Sequence, residues 1–175
     1  MKTFLHVNIL MIILVASTPV SIFAGQPTLE QVKQNVLYLH KQVMDGQPGL
    51  SARDFKRKIG GEEQFILLDV RSEEEFNAAH LPGALNVERG RLEWIIPNII
   101  KKTDRIIYVY CQDGRRSAFA TERLLEMGYI NTSHIKDGFE GWVKAGYLVY
   151  NMHGEFILSP GGYNKGEPII GNIGK

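Results

Sequence analysis

Cysteine is nearly missing from this chain: among 175 residues there is one, Cys111. A lone cysteine has no partner within the chain, so an internal disulfide is excluded. Net charge is nearly missing too. Twenty Lys and Arg against 19 Asp and Glu leave a formal +1, which gives no electrostatic reason to expect nucleic acid or an anionic membrane surface as partner. His40, His134 and His153 do not cluster in the sequence, so no metal site is expected, and no cofactor. Internal repeats are absent. The 44% apolar and 22% charged shares are ordinary globular composition, and the length fits one domain.

A long hydrophobic run is also lacking. The longest, Ile9 to Ala16, follows a charged start at Lys2 and precedes a polar, proline-containing stretch ending in Ala24. A membrane span needs about 20 mostly apolar residues, and His6, Asn8, Ser17, Thr18 and Pro19 interrupt this one. The order instead reads as a secretory signal over residues 1–24, cleaved after Ala24. The expectation is an exported protein, periplasmic in a Gram-negative bacterium, with no membrane attachment after cleavage. Exported domains usually pair their cysteines. A single thiol kept there is either buried and inert or reactive, and its neighbours Asp113, Gly114, Arg115 and Arg116 argue against burial.

Leu29, Val32, Val36, Leu39 and Val43 recur at steps of three and four behind a Thr28/Gln31 capping pair. Residues 28–44 therefore read as an amphipathic helix whose stripe is packing surface. Ser51 and Asp54 cap a short second helix. Gln64 to Val70 is a continuous apolar run, as expected of a strand buried on both faces, with Asp69 and Arg71 at its carboxyl end. Ser72 and Glu75 cap a helix ending near Ala79. A turn at residues 80–84 and a very short strand at 85–87 follow. Residues 91–96 read as helical, broken by Pro97. Arg105 to Tyr110 is the next strand, Ser117 to Met127 a helix, 133–136 a last strand, and Phe139 to Trp142 the start of a final helix. Residues 148–175 are rich in glycine and read as an irregular tail, with a short hairpin around His153-Gly154. Strands alternating with helices predict a small open parallel α/β sheet flanked by helices on both faces. Ligands of such sheets sit beyond the carboxyl ends of strands, where Cys111 and the Asp69–Arg71 pair both lie.

Tyr110-Cys111-Gln112-Asp113-Gly114-Arg115-Arg116-Ser117 runs from a strand through a tight cationic loop into a helix start. Loop amides, the helix N-terminus and two arginines all favour thiolate over thiol, and the thiolate is the nucleophile. This points to a cysteine enzyme that holds an anion in its loop.

Three blocks, Leu68 to Arg71 with Glu75-Phe76 and His80 to Asn86, Cys111 to Ala118, and Asp137 to Trp142, together resemble the rhodanese (sulfurtransferase) family in its single-domain form. The resemblance covers about residues 50–147, after an N-terminal helical extension over 25–49. It implies a loop from Cys111 to Arg116 with the cysteine at its base. It also implies a reaction in which Cys111 takes a sulfane sulfur from a small anionic donor such as thiosulfate. The resulting persulfide passes that sulfur to a thiol, sulfite or cyanide acceptor, and an exported redox protein is a further candidate partner. Gln112, Asp113, Gly114, Arg115, Arg116 and Ser117 would bind substrate, with Arg116 bracing the loop, Arg115 freer for the donor and Asp113 pointing outward. Asp69 and Arg71 read as structural support, His80 as a turn-stabilising hydrogen bonder and Trp142 as packing. Asp137-Gly138 stands where many members have two glycines. Phosphatases and arsenate reductases of related fold carry arginine six positions after the cysteine. Here Arg116 is five on, and the shorter loop suits one sulfur rather than a tetrahedral oxyanion. The alternative is a persulfide carrier or sensor that docks through residues 28–44 or the tail.

Overall fold

Residues 26–158 are described in a computed structural model; the segment read as a secretory signal and tail residues 159–175 lie outside them. The elements are α1 (Leu29–Gly46), β1 (Gly49–Leu50), α2 (Ala52–Ile59), β2 (Phe65–Asp69), α3 (Glu73–Ala78), β3 (Leu85–Asn86), a 3₁₀ turn (Arg89–Arg91), α4 (Leu92–Ile99), β4 (Ile106–Tyr110), α5 (Arg115–Glu126), β5 (Thr132–Ile135), α6 (Gly138–Lys144), β6 (Val149–Asn151) and β7 (Gly154–Phe156). The first five strands form one sheet in the order β1-β5-β4-β2-β3, every pair parallel. No helix among the described residues is long and apolar enough to cross a membrane.

Side chains of a strand alternate between faces, and this sorts the core. Ile66, Leu68, Ile107 and Val109 pack on one face with Leu92 and Ile96 of α4 and Ala120 and Leu124 of α5. Leu67, Tyr108 and Tyr110 pack on the other with Phe55 of α2 and Phe139 and Trp142 of α6. Both faces are covered, as the apolar run in β2 predicts. Each buried Leu, Ile or Phe contributes roughly 1.5–3 kcal/mol of transfer free energy. Trp142 is packing, fully buried, with its ring N–H donated to Leu148 O at 2.8 Å.

Two expectations are corrected and one is met. Pro97 does not break α4, which continues to Ile99. The proline removes one backbone donor, but Leu92 and Ile96 are fully buried on the inner face. Asn98 and Lys101 side chains also donate to the carbonyls of Trp94 and Pro97. The α1 stripe is not packing surface along its length: Leu29 is 71% exposed, Val32, Val36 and Leu39 are exposed, and only Val43 is buried. Contact with the body is confined to the C-terminal half, where His40 meets Phe119 edge-on at 5.8 Å. Residues 149–156 are the hairpin expected around His153-Gly154. They form an antiparallel hairpin, bonded to the domain by reciprocal amide–carbonyl bonds between His80 and Tyr150 at 2.9 Å.

Candidate functional site

Cys111 follows β4 directly, and the strand's alternation carries through it. The residue therefore shares a face with Ile107 and Val109 and looks toward α5. It is fully buried, against the sequence expectation; the polar loop closes over the thiol rather than holding it out. The Ser117 amide, in the first turn of α5, donates to Sγ at 3.4 Å. A helix N-terminus adds partial positive charge at that point.

The loop is shaped by two close approaches. Gly114 has φ +90°, and a Cβ there would lie 1.9 Å from Lys136 O, so only glycine fits. Its carbonyl accepts from Ala118 N and from the buried Ser117 hydroxyl, both at 3.0 Å. On the other side, Phe139 N donates to Cys111 O at 2.8 Å and Glu140 N to Gln112 O at 3.0 Å. A trans peptide points its C=O and the next N–H in opposite directions. With both carbonyls turned to α6, the amides of Gln112 and Asp113 face away from it. Gly138, at φ +55°, permits this docking, since a Cβ would sit 2.5 Å from Cys111 O.

The two loop arginines have separate commitments. Arg116 grips Glu75 of α3 with two bonds of 2.7 Å, the bracing role expected of it. The hydrogen bond from Arg116 holds the Glu75 carboxyl down at about 2, despite partial burial, and Arg116 is pushed up in return. Arg115 is not the free cation expected, because it is tied to Asp113 through Nε at 2.7 Å and through Nη2. Asp113 does not point outward. Its Oδ1 accepts from Arg115 N at 3.1 Å and lies 3.9 Å from Sγ. Burial alone would raise the Asp113 carboxyl, but the hydrogen bonds from Arg115 outweigh it and the net shift is down. An aspartate two residues after the cysteine and two before an arginine can close such a turn upon itself.

Asp69 and Arg71 form a buried pair under the loop, 0% and 2% exposed, joined at 2.7 Å. Arg71 also donates to Ala79 O at 2.7 Å, reaches Gln112 Oε1 at 3.5 Å and lies 4.2 Å above the Phe139 ring. Burial opposes the Arg71 charge, yet Asp69 more than compensates and the net shift is up. Tyr110 is pushed well above its ordinary range by burial first, then by Asp69; its hydroxyl accepts from Leu81 N at 3.1 Å. His80 Nδ1 lies 2.9 Å from Phe76 O, and the two rings stack at 3.9 Å, a turn-stabilising placement. Arg71 thus touches all three blocks of the sequence. The roles of two residues escaped the sequence reading. Asp137 accepts from Ala52 N at 2.7 Å, tying the start of α2 to the site; the Asp-Gly dipeptide was the available signal. Buried His134 has no hydrogen-bond partner on either ring nitrogen among the described residues, and burial then Lys136 lower its affinity for a proton.

The model of the rhodanese-like domain matches residues 51–145. The chain belongs to the rhodanese-like domain family. The rhodanese-like segment is similar to YrkF of Bacillus subtilis, a protein named for a sulfur-carrier role, with 33% identity over 95 residues, 54% of this chain and 50% of that one. Among solved structures it is similar to the human single-domain sulfurtransferase TSTD1 (26% identity, TM-score 0.51, covering 55% of this chain and 96% of that one). It is also similar to RPA3614 of Rhodopseudomonas palustris, titled a possible tyrosine phosphatase (26% identity, TM-score 0.60, covering 72% and 100%). The chain spans about half the length of YrkF and about a quarter of an adenylyltransferase and sulfurtransferase of Candida albicans that it also matches.

Proposed function

We propose that the protein transfers sulfane sulfur through a persulfide on Cys111. The Cys111 thiolate attacks the outer sulfur of a donor such as thiosulfate. A Cys111 S–S bond forms, the S–SO₃ bond breaks, and sulfite leaves with the electron pair. A thiophilic acceptor (a thiol, sulfite or cyanide) then takes the outer sulfur and returns the thiolate. The carrying observation is the Ser117 amide on Sγ at 3.4 Å, above a loop whose Cys111 and Gln112 carbonyls are both turned to α6. That leaves inward amides for the persulfide anion. Sulfur carriage and sulfur transfer in the names of YrkF and TSTD1 support the same chemistry. Phosphate chemistry is disfavoured by loop length: Arg116, five positions after Cys111, is occupied with Glu75 rather than open to an oxyanion. The segment before Gly25 supports an exported site of action.

The deciding test is the mass of the intact protein after incubation with thiosulfate. The expected result is a gain of one sulfur, lost in Cys111→Ser; no gain on the native protein would end the proposal. A second reading, a carrier that delivers the persulfide to another exported protein, is favoured by the exposed apolar residues of α1. A stable persulfide without turnover of thiosulfate and cyanide would select it.

A further inference from the structure

Beside the sulfur loop, between α2 and α6, lies a cleft of about 400 Å³ with Arg53, Asp113, Asp137, Glu140 and Lys144 in its walls. Its size suits a small ligand. Two of these residues belong equally to the sulfur site. Asp113 Oδ1 is 3.9 Å from Sγ, and Glu140 binds Gln112 through both its amide, at 3.0 Å, and its carboxylate, at 3.4 Å. The cleft therefore opens onto the loop that would carry the sulfur.

Its charges divide into committed and available ones. Asp137 is spent on Ala52 N and Asp113 on Arg115. Glu140 is half exposed and only loosely paired with Lys144, at 3.7 Å. Arg53 makes no ion pair among the described residues. A ligand placed here meets cations from Arg53 and Lys144 and the carboxylate of Glu140. A simple anion would use only the cations of this cleft, and a neutral thiol would leave both signs unused. We infer that the cleft seats the acceptor, and that the acceptor is a zwitterionic thiol of the α-amino-acid type. Its carboxylate lies toward Arg53 and Lys144 and its ammonium toward Glu140.

This rests on the sulfur-transfer reading above. The acceptor thiol gives its proton to the outer sulfur of the Cys111 persulfide anion, and the resulting thiolate attacks that sulfur of Cys–S–SH. A new S–S bond forms on the acceptor, the bond to Cys111 breaks, and its electron pair stays on Cys111 as thiolate. The proton travels with the transferred sulfur, and no outside oxidant or reductant is needed.

The test loads Cys111 with sulfur and follows its loss by intact mass with L-cysteine, N-acetylcysteine, cysteamine, 2-mercaptoethanol and sulfite. Each rate is normalised to the thiolate present and to its reaction with a free alkyl persulfide. L-cysteine is expected to exceed 2-mercaptoethanol by about five-fold or more, the scale of one partly exposed charge pair. Arg53→Gln should slow the carboxylate-bearing thiols and spare cysteamine, and Glu140→Gln should slow the ammonium-bearing ones and spare N-acetylcysteine. Equal normalised rates, or variants that slow every acceptor alike, would overturn the inference. A second measurement needs no persulfide. S-methylcysteine should shift the amide resonances of Gly141 and Ala145, and Arg53→Gln should weaken that binding. If Cys111 never takes up sulfur, the proposed function fails while this titration still judges the cleft; no shift at Gly141 or Ala145 sinks the inference.

Discussion

Arg116 and Glu75 face each other across 41 residues of chain, with two hydrogen bonds of 2.7 Å joining the first turn of α5 to α3. A bidentate fork of this kind fixes orientation as well as charge, so the helix behind Sγ is oriented from α3. Glu75 takes an ordinary carboxyl from 4.5 down to about 2. A depressed carboxyl stabilises the fold above its unfolded value, and that contribution disappears as pH falls from 4.5 toward 2. At a site about one-third exposed, solvent screening leaves about 1 kcal/mol. Urea titrations at several pH values should show Glu75→Gln less stable at neutral pH, with the gap to wild type closing across that acid window. A gap independent of pH would contradict the assignment.

Asp69 is fully buried against Arg71. Removing one partner of a buried pair leaves the other charge uncompensated, at a cost of about 3–5 kcal/mol. Asp69→Asn should therefore lower unfolding free energy by about 3 kcal/mol or more in denaturant titration. A change under about 0.5 kcal/mol, the usual range of a surface substitution, would show that the pair is not structural.

Gly114→Ala meets both a positive φ and a backbone oxygen at 1.9 Å. The expected result is loss of sulfur uptake on Cys111 together with destabilisation of about 1 kcal/mol or more. Gly90→Ala, where nothing lies within 4 Å of the added carbon, is the matched control and should leave uptake unchanged. Equal behaviour of the two variants would show that the loop tolerates a side chain at Gly114.

Asp113 neutralises Arg115 and sets a carboxylate near Sγ. Asp113→Asn frees the guanidinium for an anionic donor. kcat/KM with thiosulfate should rise about five-fold, one exposed charge pair's worth, and the gain should shrink as salt is added. A fall in kcat/KM would mean that Asp113 holds the loop in its working shape.

The elements that the sequence revealed are those set by short-range rules. The Thr28/Gln31 and Ser72/Glu75 capping boxes both form, and the apolar runs become the central strands. The loop glycine and the Arg116 brace were visible because the motif fixes their spacing. Three features were not legible: two depend on neighbours far along the chain, and the third on a contest between solvent and side chains close by. Periodicity in α1 shows that a stripe exists but not whether anything covers it. A proline in α4 signals a lost donor, while the burial of Leu92 and Ile96 that outweighs it comes from elsewhere. Asp113 turned inward because Arg115 and Sγ together offer it more than solvent does, a balance that a string of residue types does not display.

The carbonyls of Cys111 and Gln112 end on the amides of Phe139 and Glu140, and the same helix is anchored by Trp142, whose ring N–H holds Leu148 O just ahead of the hairpin. The Cys111 loop is therefore expected to open together with α6 rather than as a locally mobile segment. Amide exchange at Phe139 and Glu140 becomes a gauge of the site's integrity: protection there should fall together with protection at Trp142.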